Sequence, residues 1–469
     1  MEFQVAVIGG GPGGYAAAFM AADLGLRTAL IDVEPNPGGV CLYRGCIPSK
    51  ALLHAARVVS EAREAEAFGV RFGAPEIDAG RLAGWKDDVV RKLTGGLGQL
   101  SRQRKVEYVQ GRAVLVDPHA AMVNPATGPA RRVTFEHAII ATGSRPATLP
   151  FLPLESPRVW NSTSALELRS IPKTLLVIGG GYIGLELGTV YAELGSRVTV
   201  VELTAGLLPG ADRDLVGLLA RRVEKRFAKI LLETKVASVT EEAAGLRVRF
   251  EGKDAPQEAV FEAALASVGR KPNSSGLGLE STKVAVDAKG FIAVDAQRRT
   301  AEPSIFAIGD VAGEPMLAHK ATHEGRVAAE VIAGRNVAYE PQAIPAVVFT
   351  DPELAWCGLT ETQAAAESRP VKVSRFPWAA SGRALTLART DGATKLLSDP
   401  ETGRVLGVGL AGPGAGELIA EGVLAVELGA TVEDVALSIH PHPTLGETLM
   451  EAAEAAMGHS THIFRPKRG

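Results

Sequence analysis

One 26-residue unit occurs twice in this chain of 469 residues, and the repeat constrains the fold more than any other feature. The segments VIGGGPGGYAAAFMAADLGLRTALID, which starts at Val7, and VIGGGYIGLELGTVYAELGSRVTVVE, which starts at Val177, align without a gap, 170 residues apart. Each begins with a short apolar run, enters a G-x-G-x-x-G turn, continues with helical periodicity and resumes as a strand after a glycine. The repeat predicts two strand–helix–strand units of the kind that binds a dinucleotide.

The three glycines of each turn meet three different physical needs. The first permits a tight turn, the second lets a pyrophosphate approach the backbone, and the third lets the helix pack closely on the strand. In that order they are Gly9, Gly11 and Gly14 in the first unit and Gly179, Gly181 and Gly184 in the second. The N-terminus of the following helix offers free N–H groups and a positive dipole end to the phosphates.

An acidic residue ends the second strand of both units, Asp32 in the first and Glu202 in the second. A carboxylate at this offset can accept a hydrogen bond from a ribose 2′-hydroxyl. A single glycine motif is weak evidence, but two copies with the acid in the same register predict two dinucleotide sites. No arginine follows Glu202, and its charge would repel a 2′-phosphate, so we expect the second site to bind NAD rather than NADP.

Composition argues against several classes of protein. The formal net charge of −3 gives no basic field to attract nucleic acid or a membrane surface. The apolar N-terminus lacks a basic region, and no uninterrupted run of 18 or more apolar residues occurs, so we expect neither a signal peptide nor a transmembrane helix. Three cysteines are too few for a secreted disulfide framework, which favours redox chemistry or metal binding in a reducing compartment.

Two of these cysteines, Cys41 and Cys46, lie five residues apart in the segment GGVCLYRGCIPSK. On a regular helix this separation climbs about 7.5 Å, which exceeds the Cα distance of about 4.4 to 6.8 Å that a disulfide needs. Pro48 fits the first turn of a helix, so a distorted entry over residues 41–45 would bring the sulfur atoms together. A thiol at a helix start has a lowered pKa, which suits a reducible redox pair. The residues alone leave open a metal clip, for which His54 is the only nearby histidine, and two inert buried cysteines.

Thiol exchange needs a base, and histidine suits that role near neutral pH. The segment HPHPTLGE places His440 and His442 between prolines, with Glu447 close enough in sequence to orient an imidazole. The residues from Thr444 to Glu447 also read T-x-x-E, which is a capping box for the following helix. The segment alone therefore leaves open whether it is catalytic or only begins a helix.

Motifs along essentially the whole chain resemble those of the flavin disulfide reductases, and most closely the dihydrolipoamide dehydrogenases among them. In chain order these motifs are GGVCLYRGCIPSK, ATGSRP, VIGGGYIGLELG, SVGRKPN, AIGDV, MLAHKATHEG and HPHPTLGETL. The resemblance implies FAD at the first nucleotide site and NAD at the second. It implies that Cys41 exchanges with substrate, that Cys46 faces the flavin, and that His442 acts as a base with Glu447.

The same resemblance implies a set of residues that contact the cofactors. Those implied at FAD are Asp32, Lys50, Ala113, Gly143, Asp310 and Ala318. Those implied at NAD are Glu202, Val236 and Gly269, while Glu186 matches the acid that pairs with Lys50.

The implied fold is of the α/β class, with two Rossmann-like dinucleotide-binding domains and a C-terminal α+β dimerisation domain. We expect the FAD-binding domain at residues 1–150 and 271–341, the NAD-binding domain at 151–270 and the interface domain at 342–469. The last boundary also follows from the residues, because prolines and β-rich runs begin near residue 342 without a further nucleotide motif.

The implied reaction is the oxidation of protein-bound dihydrolipoyl groups with NAD, through a disulfide of Cys41 and Cys46 and through FAD. The implied partner is the lipoyl carrier of a 2-oxo acid dehydrogenase complex or of glycine cleavage (H-protein type). The implied assembly is a homodimer in which His442 reaches the disulfide of the other subunit. The chain begins at its first strand without a transit segment, which favours a bacterial cytoplasmic protein, although a processed organellar form would look the same.

Three other interpretations make different predictions. A glutathione-type reductase would carry basic residues near the position of Glu202, and a mercuric reductase would carry a cysteine pair near its C-terminus, where MGHSTHIFRPKRG has none. A non-catalytic scaffold that docks onto a lipoyl-bearing complex would not need Cys41, Cys46 and His442. Between the cysteines, Arg44 departs from the family pattern and could stabilise a thiolate or be a solvated side chain.

Overall fold

A computed structural model describes residues 1–464, so the last part of the predicted interface domain, residues 465–469, lies outside the described residues. Within residues 1–464 no helix combines the length and the apolar character needed to cross a membrane.

The elements of the described chain are numbered in chain order. The strands are β1 (Glu2–Ile8), β2 (Thr28–Asp32), β3 (Glu107–Gln110), β4 (Arg112–Asp117), β5 (Ala120–Asn124), β6 (Arg131–Ile140), β7 (Ser144–Pro146), β8 (Val159–Trp160), β9 (Thr174–Ile178), β10 (Arg197–Val201), β11 (Lys229–Leu231), β12 (Lys235–Glu242), β13 (Gly245–Glu251), β14 (Glu258–Phe261), β15 (Ala263–Ala266), β16 (Arg270–Pro272), β17 (Ile305–Ala307), β18 (Ala346–Val348), β19 (Leu354–Gly358), β20 (Lys372–Pro377), β21 (Ala393–Ser398) and β22 (Val405–Ala411). The helices are α1 (Pro12–Asp23), α2 (Gly39–Arg44), α3 (Cys46–Glu64), α4 (Ala79–Gln103), α5 (Ser162–Leu166), α6 (Tyr182–Glu193), α7 (Arg213–Val223), α8 (Ala318–Ile332), α9 (Glu361–Ala366), α10 (Gly382–Thr386), α11 (Ala415–Leu428), α12 (Val432–Leu437) and α13 (Glu447–Met457).

The first nucleotide unit forms a parallel sheet with strand order β3-β2-β1-β6, and β17 pairs with the other edge of β6. The long strand β6 also pairs antiparallel with β5, which carries β4 beside it. Because β17 comes from a much later part of the chain, the segment that follows the second unit returns to complete the first sheet. The carboxyl ends of β1 and β6 lie side by side, with Ile8 opposite Ile140, and both lead into glycine turns.

The second unit repeats this arrangement in a separate parallel sheet of order β11-β10-β9-β15-β8. The order 3-2-1 of the first unit recurs as 11-10-9, and α6 follows β9 as α1 follows β1. Two residues after the end of each helix lies a glycine with a positive φ, Gly25 with φ of 86° and Gly195 with φ of 114°. The predicted duplication of a strand–helix–strand unit is confirmed.

The C-terminal part is built around an antiparallel sheet of order β18-β19-β22-β21-β20. Helix α11 packs on β19 and β22, and α13 packs on β20 and β21. An α+β arrangement is therefore present from β18 onward, and the domain boundaries given above stay predictions.

A buried lysine joins the second nucleotide unit to the C-terminal sheet. Lys395 on β21 is 1% exposed, and its Nζ lies 2.8 Å from Asp212, 2.7 Å from Asp214 and 2.8 Å from Glu361. Burial alone would raise the pKa of Asp212 and Asp214, but the hydrogen bonds from Lys395 outweigh it and hold both pKa values below their ordinary range. The ammonium group lies among these three carboxylates and supplies the positive charge that a metal ion would supply to such a cluster.

Replacing Lys395 by Met should lower the unfolding free energy by about 3 kcal/mol, because it leaves the buried Asp212 carboxylate without its cation. Carboxyl groups with a lowered folded pKa stabilise the fold above their unfolded pKa of about 4, and this contribution is lost as the pH falls through the folded pKa. Denaturant midpoints of the parent and Lys395→Met proteins should therefore differ at pH 7 and converge in acid. Lys372→Met, at an exposed position on β20, is the control. An equal loss in both variants would contradict the assignment.

Candidate active site

A single cavity of about 750 Å³ brings the first glycine turn and the cysteine segment together. The predicted site residues that line it are Gly9, Gly11, Asp32, Cys41, Cys46, Lys50, Ala113, Gly143, Glu186, Asp310 and Ala318. Helix α6 of the second unit contributes Tyr182, Ile183, Glu186 and Leu187 to the same lining. The first turns of α6, which begins directly after Gly181 in the sequence, therefore line this cavity.

Gly11 and Gly14 of the first turn have the two different structural roles that the sequence predicts. A Cβ at Gly11 would meet no atom within 4 Å, because this position opens onto the cavity at the start of α1. A Cβ at Gly14 would lie 1.8 Å from the carbonyl oxygen of Gly9, so this glycine is required for packing. The open backbone at the N-terminus of α1 is a cradle that fits a pyrophosphate.

Asp32 lies at the same end of the cavity as this cradle. Its Oδ2 accepts a hydrogen bond from the Gly10 N–H, and its Oδ1 accepts one from the Glu34 N–H at 2.9 Å. Burial raises the pKa of Asp32, although the backbone hydrogen bonds and the charge of Arg44 oppose the rise. Arg44 forms an ion pair with Glu34, so its partner is a carboxylate near Asp32 rather than a cysteine thiolate.

The two cysteines lie on two helices, the short α2 and the long α3, that meet at a sharp break. Cys41 belongs to α2, Cys46 begins α3, and Gly45 between them has φ of −143° and ψ of −113°. A Cβ at Gly45 would lie 2.8 Å from the carbonyl oxygen of Val40, which explains why glycine occupies the break. The predicted distortion of residues 41–45 is thus confined to one residue, and Pro48 lies in the first turn of α3 as predicted.

Both cysteines are free thiols in this structure, which corresponds to the reduced state of the predicted pair. The hydrogen bond between them raises the pKa of Cys41 and lowers the pKa of Cys46 to about 7. Burial opposes the lowering at Cys46, whereas the Lys50 ammonium supports it. The pair is therefore electrostatically asymmetric, with Cys46 as the more stable thiolate.

Lys50 is held one turn after Cys46 by a buried carboxylate. Its Nζ lies 2.8 Å from Glu186 Oε2, which also accepts a hydrogen bond from Ser49 Oγ at 3.2 Å. Glu186 Oε1 accepts from the Phe349 N–H at 3.0 Å, and the Lys50 ammonium lies 4.5 Å from the centre of the Phe349 ring. The predicted pairing of Lys50 with Glu186 is present, and Phe349 adds a contact from the C-terminal part.

Asp310 is held by Ser144, which is held in turn by Arg270. Its Oδ2 accepts a hydrogen bond from Ser144 Oγ at 2.5 Å, and Ser144 Oγ in turn accepts one from Arg270 Nε at 2.7 Å. Gly309 precedes Asp310 with φ of 73°, which favours glycine and aims the acid into the cavity. Arg270 directly follows Gly269, so this chain of hydrogen bonds connects residues predicted at FAD and at NAD.

The second glycine turn has the same geometry as the first. A Cβ at Gly181 would meet nothing within 4 Å, whereas a Cβ at Gly184 would lie 2.2 Å from the carbonyl oxygen of Gly179, which has φ of 108°. Glu202 is buried, and its Oε2 accepts from the Gly180 N–H at 2.6 Å. The arrangement matches the Gly10–Asp32 contact of the first unit.

Two other residues predicted at NAD lie near this turn in different environments. Gly269 follows β15 in the left-handed region with φ of 104° and open space beside it. The Val236 side chain is buried in a hydrophobic cluster with Leu176 and Val248, so any contact with NAD would have to come from its backbone. Both assignments remain predictions.

His442 and Glu447 form a pair on the C-terminal part, outside the cavity that contains the cysteines. His442 Nδ1 lies 2.8 Å from Glu447 Oε1, and the His442 side chain is 71% exposed. Glu447 Oε2 accepts a hydrogen bond from the Thr444 N–H at 2.7 Å, whereas Thr444 Oγ1 donates to the Pro441 carbonyl. Only one half of the capping box forms, and Glu447 contacts both His442 and the backbone because it has two oxygens.

Several contacts at the site were not predicted from the sequence. Ser144 and Arg270 stand inside quoted motifs, but their mutual contact spans 126 residues and has no local signal. Phe349 belongs to no nucleotide motif at all. Tyr182 is one of the two residues between Gly181 and Gly184 that the glycine motif leaves unspecified. Burial raises the pKa of this tyrosine to about 12.

Comparisons with known proteins agree with the motifs over the whole chain. The sequence profile of the pyridine nucleotide-disulphide oxidoreductases matches residues 3–325, and the profile of their dimerisation domain matches residues 344–453. The dihydrolipoyl dehydrogenase of Vibrio parahaemolyticus is 49% identical over 468 residues, which cover 100% of this chain and 98% of that protein. The dihydrolipoyl dehydrogenase of Thermus scotoductus is 48% identical over 465 residues, covering 98% and 99%. The crystal structure of LpdA from Mycobacterium tuberculosis is similar, with a TM-score of 0.90, 29% identity and coverage of 96% and 99%.

Two glycine substitutions in the second turn should separate nucleotide binding from folding. Gly181→Ala should leave the thermal midpoint close to that of the parent but weaken NAD binding by at least about tenfold, since the new methyl group occupies the position expected for the pyrophosphate. Gly184→Ala should lower the thermal midpoint, because its Cβ collides with the Gly179 carbonyl. Differential scanning fluorimetry and NAD titration measure the two effects. Unchanged NAD affinity in a folded Gly181→Ala protein would contradict the assignment.

Proposed function

Because the chain belongs to the pyridine nucleotide-disulphide oxidoreductase family, we propose that it oxidises dihydrolipoyl groups with NAD, using FAD and the Cys41–Cys46 pair. The observation that carries this proposal is the pair of cysteines, Cys41 and Cys46, that lines the cavity beginning at the first glycine turn together with Lys50. A scaffold would not need an asymmetric thiol pair beside a lysine, and a metal clip would need further ligands around the cysteines.

The residues around the cavity fit FAD. The open backbone at Gly11 would hold the pyrophosphate, Asp32 beside this turn would accept a hydrogen bond from a ribose hydroxyl, and Lys50 and Asp310 line the rest of the cavity with Cys46. Bound FAD supplies an acceptor for two electrons from sulfur and a hydride donor to NAD. The contact of α6 with this cavity supports the proposal, since α6 starts at Gly181 of the NAD turn.

The asymmetry of the two thiols assigns a direction to the exchange. A substrate thiolate attacks Cys41 of the oxidised pair, a mixed disulfide forms at Cys41, and the Cys46 thiolate leaves. While Cys41 is held in the mixed disulfide it has no S–H to donate, so the Lys50 ammonium is the group that stabilises the departing Cys46 thiolate. The second substrate thiolate then displaces Cys41, so the substrate becomes a cyclic disulfide and its two electrons remain on the enzyme dithiol.

His442 accepts the proton of the attacking substrate thiol. Burial raises the pKa of Glu447, but hydrogen bonds from the Thr444 N–H and from His442 outweigh burial and keep that pKa below its ordinary range. The ionised carboxylate fixes Nδ1 of the imidazole and leaves Nε2 for the substrate. His442 does not line the cavity of its own chain, which fits a homodimer in which it acts on the cysteines of the other subunit.

NAD is the nucleotide that suits the second site. Both oxygens of Glu202 already accept hydrogen bonds, one from the Gly180 N–H and the other from Thr204 N–H and Oγ1 at 2.8 Å each. A carboxylate held in this way can accept from a ribose hydroxyl but repels a 2′-phosphate.

The proposed physiological electron donor is the lipoyl group of a carrier protein in a 2-oxo acid dehydrogenase or glycine cleavage complex. The proposed compartment is the bacterial cytoplasm.

The purified holoenzyme should form NADH rapidly from dihydrolipoamide and NAD, followed by NADH absorbance. Cys41→Ser and Cys46→Ser should each lower kcat by more than about 1,000-fold, since either change removes the exchanging pair. His442→Gln should lower kcat/KM by about 100- to 10,000-fold, as expected for loss of a general base.

The control for the cysteine variants is Cys357→Ala, which changes the third cysteine, buried in the C-terminal core. This variant should retain the parent activity. Dithiol-dependent NADH formation that survives Cys41→Ser would overturn the proposed mechanism, and a flavoprotein without any such activity would overturn the proposed substrate.

A further inference from the structure

Helix α8 holds a carboxylate that solvent does not reach. Glu324, in the second turn of α8, is 0% exposed, and its Oε2 accepts a hydrogen bond from the Gly309 N–H at 2.6 Å. Its Oε1 lies 2.9 Å from Arg298 Nη1 and 3.1 Å from Lys320 Nζ. A buried carboxylate is destabilising unless it is paired and hydrogen-bonded, and here two cations and a backbone N–H meet that requirement. Glu324 stands in the motif MLAHKATHEG, of which the family resemblance implies only Ala318 at FAD.

The backbone group that Glu324 holds belongs to the turn that leads into Asp310. Gly309 has φ of 73°, in the left-handed region that favours glycine, and its N–H is the donor to Glu324. Asp310 follows directly and lines the cavity. Lys320 Nζ donates to the Gly313 carbonyl at 3.0 Å, so α8 holds this turn at both ends. The backbone that carries Asp310 is therefore fixed by two side chains of α8.

Helix α8 is itself packed closely on the helix of the first glycine turn. A Cβ at Gly325 would lie 2.6 Å from the Gly13 carbonyl oxygen, and a Cβ at Gly13 would lie 2.9 Å from the Ala321 carbonyl oxygen. The backbones of α1 and α8 are thus in contact, and both helices begin at the cavity. Through α8, the turn before Asp310 is held against α1, whose N-terminus is the proposed pyrophosphate cradle.

We propose that Glu324 is a positioning residue for FAD: by holding the Gly309 N–H, it keeps the turn before Asp310 in its binding geometry before the cofactor arrives. The inference rests on the proposed binding of FAD in this cavity. A turn that becomes ordered only on binding lowers the affinity for its ligand, whereas a turn held in advance does not. Lys320 and Arg298 contribute because they compensate the charge of Glu324 in the protein interior.

Glu324→Gln tests the inference with little change in side-chain shape. The amide NH₂ group can only donate, so the new side chain cannot serve both the Gly309 N–H and the two cations. FAD should then bind at least about tenfold more weakly, as expected when a hydrogen bond to a charged group is lost. The NAD affinity of the FAD-saturated variant should stay within about twofold of the parent value, because Gly309, Arg298 and Lys320 belong to the segment that returns to the first sheet.

Glu324→Asp is the second variant, and it keeps the negative charge between Lys320 and Arg298. Its carboxylate is one methylene group shorter, so it cannot reach the Gly309 N–H and both cations at once. The interior stays electrically paired while the hold on the turn is weakened. FAD should bind about three- to tenfold more weakly than to the parent protein.

The measurement uses the full-length holoenzyme without dithiol or NAD. Each protein is diluted, free FAD is separated by ultrafiltration at successive times, and the fraction that remains bound gives the release rate and the dissociation constant. The thermal midpoint is recorded for the same samples with and without added FAD.

Glu193→Gln is the matched control. Glu193 at the end of α6 is 6% exposed and pairs with two arginines, Arg63 at 3.0 Å and Arg226 at 3.5 Å. A merely structural role of a buried, doubly paired glutamate would lower the thermal midpoint in both Gln variants and leave the FAD affinity unchanged. Only the variants of Glu324 should bind FAD more weakly, and excess FAD should restore part of their thermal stability.

Parent-like FAD affinity in folded Glu324→Gln or in Glu324→Asp, or an equal loss of affinity in Glu193→Gln, would overturn the inference. When Glu324→Gln does not fold, Glu324→Asp decides alone. A parent protein that binds no FAD would overturn the proposed function at its cofactor, and the inference with it. A parent protein that binds FAD but forms no NADH from dihydrolipoamide would overturn only the proposed substrate, because the FAD measurements still decide the role of Glu324.

Discussion

The ion pair between Lys50 and Glu186 joins the three parts of the fold at the cavity that contains the cysteines. Lys50 belongs to the cysteine helix α3, Glu186 to α6 of the second nucleotide unit, and Phe349, which donates its N–H to Glu186, to the C-terminal part. Glu186 is 3% exposed, so removing any one partner would leave a buried carboxylate incompletely paired. The same contact places the Lys50 ammonium near Cys46 and helps to hold that thiol in its charged form. The position of the reactive pair therefore depends on this junction, in which the Lys50 charge favours the Cys46 thiolate and the Glu186 charge opposes it.

The parts of the fold that could be predicted from the sequence are those set by local backbone geometry. The glycine turns have their form because Gly9 and Gly179 adopt φ values near 110° and because a side chain at Gly14 or Gly184 would collide with a carbonyl. These constraints act within a few residues, so both copies of the repeat could be recognised from their residues. The family motifs extended this prediction to the C-terminal α+β arrangement.

Contacts between distant segments could not be predicted, because no local pattern encodes them. Asp310 depends on Ser144 and Arg270, and Arg44 contacts Glu34 instead of a thiolate, so each of these contacts required the folded chain. The break at Gly45 shows an intermediate case. A distortion between the cysteines could be expected from the length of a helix, but its confinement to one glycine depends on the nearby Val40 carbonyl.

The two alternatives for the segment around Glu447 are compatible in physical terms. One carboxylate oxygen holds His442, and the other accepts the Thr444 N–H, so a residue at the start of a helix also orients an exposed imidazole. Glu451 uses its two oxygens in a similar way one turn later. Buried or partly buried carboxylates on α13 thus set the orientation of two histidines at the surface, His442 and His462.

The central claim is that electrons from a dithiol enter the protein through Cys41 and Cys46. The most direct measurement is to add one equivalent of dihydrolipoamide to the oxidised holoenzyme without NAD and under anaerobic conditions, and then to alkylate the product and locate the labelled thiols by mass spectrometry. The account predicts that the dithiol becomes a disulfide while Cys41 and Cys46, unreactive before its addition, become alkylated and Cys357 remains unlabelled. Consumption of the dithiol without new labelling of Cys41 and Cys46 would contradict the account.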